Sequence, residues 1–507
     1  MAKVVAVASN RRWDRVLFWG FLAALAIVRS GHPDERDAFW QIRAGMENLA
    51  GLPLARPDTW TWSGVEGNWY PNSPLWNMLL ALSYGAAGIW GLFVLSAATI
   101  LALVMVTDAL GRRLGARPLP GLLGLLVVYS AAFPMISSRA TLAIQLLLLT
   151  AVYLALRLGD RLATMAPAVL NALVLASALA LSTLGNWLHL SFLLLGPAMG
   201  AVWALIWLLT PGLSGRRRLV LIIAGGIGWL LGPVLSPYGL AVGLARARAV
   251  QEACEGVILE WASPFNPLVP PKFFIMLTVA LVLAVGAAGW LYRRWRAGAP
   301  VRDLAALVAI GVPTAFAGLV AIRFLGVSLL VLAPVAAAAA TRAADRLRST
   351  PTPARLPTGL AARLRDYGTG RFWRIALTAT LVVLSPGVVL LGAEHGDPPE
   401  RAMLARLPVG CRLFTGSVLA SVSVLLRPDV PVWMDGRLDF AGRQMILDGY
   451  GYQAGTMADP VPPGSTCVLW TDDAAGAGLR ARLAASADWR RDSRDGTLEL
   501  WLPVAAG

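Results

Sequence analysis

Residues 90–110 read WGLFVLSAATILALVMVTDAL, and Gly111, Arg112 and Arg113 follow directly. A run of 21 mostly apolar residues closed by arginines is long enough to cross the roughly 30 Å hydrocarbon layer of a bilayer. Similar stretches lie at 14–30, 119–136, 140–157, 163–184, 187–210, 218–238, 273–292, 302–321, 324–341 and 373–393, so the reading is a helical polytopic membrane protein with about eleven spans. Composition agrees: 57% of the 507 residues are hydrophobic and 14% are charged, against about 25% charged in soluble domains. A soluble globular protein is excluded.

Orientation follows from the arginines. With the amino terminus in the cytoplasm, Arg11, Arg12 and Arg15, then Arg112, Arg113 and Arg117, Arg157 and Arg161, Arg216 to Arg218, Arg293, Arg294 and Arg296, and the run from Arg342 to Arg374 all fall inside, as positive loops should. The apolar stretch 74–87 is too short for a span and is expected on the outer surface. Counting it as a twelfth span would put most of these arginines outside. Residues 16–29 lack a small-residue cleavage site and read as an uncleaved first span.

The net charge of +15 rests on 42 Arg and only two Lys, Lys3 and Lys272. In a polytopic chain this surplus serves loop retention rather than nucleic-acid binding. Abundant Arg, Ala and Gly suggest a bacterial genome, hence the inner membrane. Cys254, Cys411 and Cys467 have no metal-site spacing; Cys411 and Cys467, both placed outside, could pair. His32, His189 and His395 form no ligand pattern.

The same topology puts the unusual polar residues at the outer surface. The first loop, 31–72, carries Asp34, Glu35 and Asp37 just beyond the first span, then Asp58 among Trp60, Trp62, Trp69, Asn72 and Trp76. Residues 37–50 show helical apolar spacing (Phe39, Ile42, Met46, Leu49) and are expected to lie in the headgroup region, with Asp37 near the helix start. Such a carboxylate is either a first-turn acid suited to the helix dipole, or a group that deprotonates an acceptor hydroxyl or holds a divalent cation against a phosphate. Arg139 and Arg323 open spans at this surface against the positive-inside tendency, so each needs a partner. Fork-shaped phosphate binding is one answer, and pairing with Glu260 or Asp37 is the other. Asn186 and His189 open a further span, Tyr238 ends another in a turn, and Glu260 follows in the next outer loop.

The tail from about 394 is less hydrophobic and reads as a small extracytoplasmic α/β domain, 394–507, against a membrane domain 1–393. Strands are expected at 431–434 and 467–471 and helices at 440–450 and 473–486; 349–358, with three prolines, reads as a linker.

Asp37 to Gly45, Pro57-Asp58, Trp69 with Asn72, Arg139, Asn186 to His189, Pro237-Tyr238-Gly239, Glu260-Trp261, Arg323 and Asp435-Gly436-Arg437-Leu438-Asp439 together resemble a family of bacterial membrane proteins that is itself similar to GT-C glycosyltransferases. The resemblance covers nearly the whole chain. It implies sugar transfer from a polyprenyl-phosphate carrier at the outer face to an envelope glycan, lipid or protein acceptor. Asp37 would be the base or metal-binding acid, with Asp34 and Glu35 as rivals. The substrate would meet Arg139, Arg323, His189, Asn186, Glu260, Asp58 and Tyr238. Gln41 stands where relatives often carry His. A divalent cation, Mg or Mn, is a candidate cofactor, although no duplicated acidic motif requires one. For the Asp435–Asp439 segment the residues suggest an Asp-Gly turn with an Arg-to-Asp pair. The rival classes are a transporter or flippase of a lipid-linked precursor, which needs ionisable groups at mid-membrane, and a non-catalytic assembly protein. Gln145 and Asn171 are the main polar residues at that depth.

Overall fold

The computed structural model describes residues 2–31, 36–162, 164–349, 374–383, 398 and 400–504. Helices dominate: α1 (Ala2–Gly31), α2 (Asp37–Leu49), α3 (Pro74–Ala87), α4 (Ile89–Arg113), α5 (Pro118–Ala132), α6 (Ala140–Asp160), α7 (Pro167–Leu188), α8 (Phe192–Leu209), α9 (Gly215–Leu231), α10 (Gly239–Cys254), α11 (Pro271–Arg296), α12 (Arg302–Ala317) and α13 (Arg323–Ser349). Several open on a proline, at Pro74, Pro118, Pro167 and Pro271, where the missing N–H costs no hydrogen bond.

Eight helices among the described residues are long and apolar enough to cross a membrane. The protein is a multi-pass membrane protein, but the expected count of eleven is not reproduced. The remaining three stretches show why. α1 is an unbroken helix, but Arg12, Asp14, Arg15 and Arg29 leave it without a long enough apolar stretch, α12 has 16 residues, and in 373–393 only the ten residues Arg374–Val383 are described. The 349–358 linker reading lies outside the described residues beyond Ser349.

The most enclosed spans are those of α13 and α6, with 78% and 67% of their apolar windows buried. Both begin at the same face, α6 after Arg139 and α13 at Arg323. At the opposite end of α6, Asp160 pairs with Arg113 (2.6 Å) and Arg302 (2.7 Å), and Asp303 pairs with Arg113 (2.8 Å). A 21-residue helix rising 1.5 Å per residue separates this network from Arg139 by about 30 Å. The two charged regions therefore lie on opposite faces.

α3 is a 14-residue helix, about 21 Å long and too short to span. It packs against α2 so closely that a Cβ on Gly45 would come within 2.0 Å of the Asn77 carbonyl oxygen. The first turns of α2 are packed between two cores. Phe39, Trp40 and Ala44 enter one core with Leu413, Leu419, Val432 and Leu500 of the C-terminal part, while Ile42 enters the core between the membrane helices. Of the four apolar positions expected to meet the headgroup region, Phe39 and Ile42 are covered by protein, whereas Met46 and Leu49 are exposed.

In the C-terminal part a four-stranded sheet has β1 (Leu413–Phe414) parallel to β2 (Cys467–Thr471), followed by β4 (Leu498–Pro503) and β3 (Trp489–Asp495), both antiparallel. Pro431–Met434 is not a full strand. Val432 alone bridges, in parallel fashion, to Leu413 on one side and to Thr61 on the other, so the first loop extends the sheet. The helices expected at 440–450 and 473–486 run over Arg443–Ala454 and Ala477–Ala485, and a further short helix, Leu438–Ala441, precedes the first. Ser417–Leu426, whose buried residues include Leu419, Val422 and Val424, packs on α2. Cys411 and Cys467 form a disulfide.

Candidate functional site

Asp37 is the first residue of α2, and Arg139 caps α6 in an extended conformation. An Arg139 guanidinium nitrogen lies 3.3 Å from Asp37 Oδ2, and the other terminal nitrogen donates to Glu260 Oε1. All three side chains are about one-third to two-fifths exposed. One guanidinium thus joins an acid from the first loop to an acid from the turn Leu259–Trp261.

That turn is tied to the start of α13. The Ile322 N–H donates to the Ala262 carbonyl at 3.1 Å and the Ser263 hydroxyl to the Leu319 carbonyl at 2.8 Å. Trp261 is thereby set against Arg323, whose guanidinium carbon sits 4.1 Å from the ring centroid, a geometry that stabilises a desolvated cation. Among the described residues no carboxylate comes within ion-pair distance of Arg323, although it lies in the electrostatic field of Glu260 and Arg139.

His189 follows the last residue of α7 with an extended backbone. Its Nδ1 accepts the Ser191 N–H at 3.0 Å and lies 2.8 Å from Ser191 Oγ, which leaves Nε2 to carry the proton of the neutral ring. Burial, with the nearby charges of Arg323 and Arg139, pulls its pKa down to about 3. Next in the chain, the Leu190 N–H donates to the Asn72 carbonyl at 2.7 Å, and the Tyr238 hydroxyl donates to the Pro71 carbonyl at 2.6 Å. These two bonds grip the end of the first loop. Burial pushes the Tyr238 phenol up from its ordinary value.

Not every expected residue reaches this cluster. Asn186 lies in the last turn of α7 rather than opening the next helix; its Nδ2 donates to the Ser182 carbonyl at 2.8 Å and its buried Oδ1 has no hydrogen-bond partner among the described residues. Asp58 sits elsewhere, 4% exposed and 2.7 Å from the Arg437 guanidinium. It also accepts the Trp60 N–H at 3.1 Å and the Thr61 hydroxyl. Arg437 is 2% exposed, pairs with Asp435 at 2.7 Å and lies over Trp60 and Trp69, 4.0 and 4.7 Å from the ring centroids. Burial alone would raise the Asp58 pKa, but Arg437 and the two hydrogen bonds outweigh it and hold the carboxyl below its ordinary value. Asp34 and Glu35 lie outside the described residues.

Sequence reasoning did not single out Arg246, Gly436 or the pairing of Asp58. Arg246 on α10 pairs with Asp439 at 3.6 Å and lies over the Tyr70 ring at 5.3 Å. A signal existed only for the Asp435–Asp439 segment. Among the described residues no group of three His, Cys, Asp or Glu side chains could hold a metal ion, and Asp37 and Glu260 both face Arg139. The described donor set does not suit a divalent cation.

No family model and no curated protein matches the chain. Among solved structures it is similar to ArnT from Cupriavidus metallidurans bound to undecaprenyl phosphate, at 13% identity and a TM-score of 0.54, over 97% of this chain and 98% of that one. It is also similar to the oligosaccharyltransferase of Archaeoglobus fulgidus in its apo form, at 12% identity and a TM-score of 0.52, over 90% of this chain and 69% of that one. The same archaeal enzyme, AglB, in complex with an inhibitory peptide and a dolichol-phosphate, matches at 12% identity and a TM-score of 0.52. At these identities the likeness concerns the fold, and the fold is GT-C.

Proposed function

We infer that this GT-C-fold membrane protein moves a sugar from a polyprenyl-phosphate carrier to an envelope acceptor. The observation that carries the reading is a pair of arginines, Arg139 and Arg323, at one end of the two most enclosed helices, with no carboxylate at ion-pair distance from Arg323 among the described residues. Guanidinium forks suit phosphate oxygens. The similar structures that contain undecaprenyl phosphate or dolichol-phosphate support a lipid-linked donor.

In this reading the donor's lipid tail lies between spans and its phosphate lies between the two guanidinium groups. The acceptor hydroxyl attacks the sugar's anomeric carbon and gives its proton to Asp37. The anomeric carbon–oxygen bond to phosphate breaks, the glycosidic bond forms with inversion, and polyprenyl phosphate leaves with the electron pair. Neutralising charge as it builds on the leaving phosphate, in a partly dry site, supplies the largest share of the rate. His189 offers a neutral Nε2–H beside the two cations.

The site face is extracytoplasmic in this account, and the membrane is the bacterial inner membrane with the amino terminus inside. Two features support the orientation: the Cys411–Cys467 disulfide, which suits an oxidising compartment, and the arginine-rich ends at the opposite face, as positive cytoplasmic loops require. The test supplies purified protein with a polyprenyl-phosphate sugar and a bacterial envelope extract, and follows release of polyprenyl phosphate. Wild type consumes donor and Asp37→Asn does not; equal turnover removes Asp37 from the reaction.

A further inference from the structure

We propose that Gly436 is a positioning residue for Asp37, its bare backbone forming the wall that fixes the direction of the carboxylate. The inference rests on the sugar-transfer reading for its functional meaning, while the contact itself does not.

A Cβ added at Gly436 would lie 2.7 Å from Asp37 Oδ1, 2.6 Å from Ser421 Oγ and 2.7 Å from Trp40 Cδ1. Gly436 is not among the glycines with positive φ, so what this position demands is space and not an unusual backbone. Of the three neighbours, two are fixed. Ser421 is fully buried with its hydroxyl bonded to the Ser417 carbonyl at 2.8 Å, and Trp40 is 4% exposed and edge-on to Trp69. Asp37 is held by Arg139 at 3.3 Å but is one-third exposed, so it has open space to turn into and an added methyl group would displace the carboxylate first.

Gly436 cannot retreat either. The next residue, Arg437, is locked between Asp435 and Asp58 and stacked on two tryptophans of the first loop. Two residues beyond Arg437, Asp439 is held by Arg246 of α10, and on the other side Val432 is bonded to Trp60 and Trp62 through the backbone at 3.0 Å. The buried Asp58–Arg437–Asp435 cluster thereby acquires a purpose: it pins the segment that touches the acid. Misplacing a reacting group by about 1 Å can cost on the order of 10²-fold in rate.

The experiment uses the full-length protein. Gly436→Ala is expected to lower kcat for donor consumption by about 10–100-fold while KM for the polyprenyl-phosphate sugar stays within about twofold. Gly449→Ala meets only side-chain atoms, the Met434 methyl at 3.3 Å and the Trp433 ring at 3.4 Å, and comes near neither Asp37 nor Trp40, so it leaves both constants unchanged. A second readout needs no activity: in an Asp37→Cys background, adding Gly436→Ala changes the rate of maleimide labelling at position 37 several-fold, and adding Gly449→Ala does not. If Gly436→Ala lowers the melting temperature, Asp37→Ala restores part of it, because contacting residues couple. Wild-type kcat in Gly436→Ala, or labelling indifferent to it, overturns the proposal. Absence of transfer by wild type overturns the sugar-transfer reading instead, and labelling then decides the contact alone.

Discussion

Arg139 and Asp37 belong to segments separated by about a hundred residues, yet a guanidinium nitrogen of the first lies 3.3 Å from a carboxylate oxygen of the second. The same arginine also binds Glu260. A single side chain therefore sets the spacing between the first loop and the turn that precedes α12 and α13.

Arg139→Lys keeps the charge but loses the fork that spans two acids. Turnover is expected to fall by about 10²–10³-fold, the usual effect of losing one transition-state donor, with the protein still folded. Donor consumption measured beside a melting curve checks this; undiminished turnover would show that Arg139 only ties loops together.

Asp58→Ala leaves Arg437 buried with half its partners. Breaking a buried pair from one side costs about 3–5 kcal/mol, so a large loss of stability is expected in denaturant unfolding. The pH dependence has a definite sign. The Asp58 carboxyl is depressed in the folded protein, so its contribution is present above the ordinary carboxylate pKa near 3.9 and is lost as pH falls below it. Asp58→Asn should flatten the acid limb of a stability profile.

His189 gives a second, higher window. Its folded pKa of about 3 lies below the unfolded value near 6.5, so its neutral burial favours the fold above pH 6.5 and progressively less as pH falls toward 3. Melting temperatures of wild type and His189→Gln, compared between pH 7 and pH 4, should converge as the pH drops. Parallel curves would show that His189 is not buried neutral.

Reducing the Cys411–Cys467 disulfide, which closes 56 residues of sequence separation, should destabilise the C-terminal sheet by about 4 kcal/mol on a chain-entropy estimate. Unfolding with and without reductant, followed by tryptophan fluorescence, reads this directly.

Much of the architecture was legible because a membrane span is a local property: apolar length and terminal arginines are read within one segment. The same logic flagged Arg139, Arg323, His189 and Glu260, each a polar group beside the end of an apolar run. For Arg139 the sequence offers its two observed partners, Asp37 and Glu260, as the alternative to a phosphate; that both meet it at once was not legible, since it depends on packing between α2, α6 and a distant turn. Asp58 shows the cost, for it was assigned to substrate and sits under Arg437 instead. The periodicity of α2 shows an apolar face but not how much of it protein covers: Phe39 and Ile42 are buried, and Met46 and Leu49 are exposed. The strand 489–495 carries Arg490, Arg491 and Arg494 and is largely exposed, while 498–503 is a nearly continuous buried run, so neither gave a clear alternating signal.

The most direct measurement is the dissociation constant of polyprenyl phosphate for purified wild type and for Arg323→Ala, in a lipid background held constant. A guanidinium that binds the phosphate contributes about 1.5–3 kcal/mol, so the variant should bind about 10–150-fold more weakly while its melting temperature without ligand stays near wild type. Equal affinity in the two proteins would contradict the account.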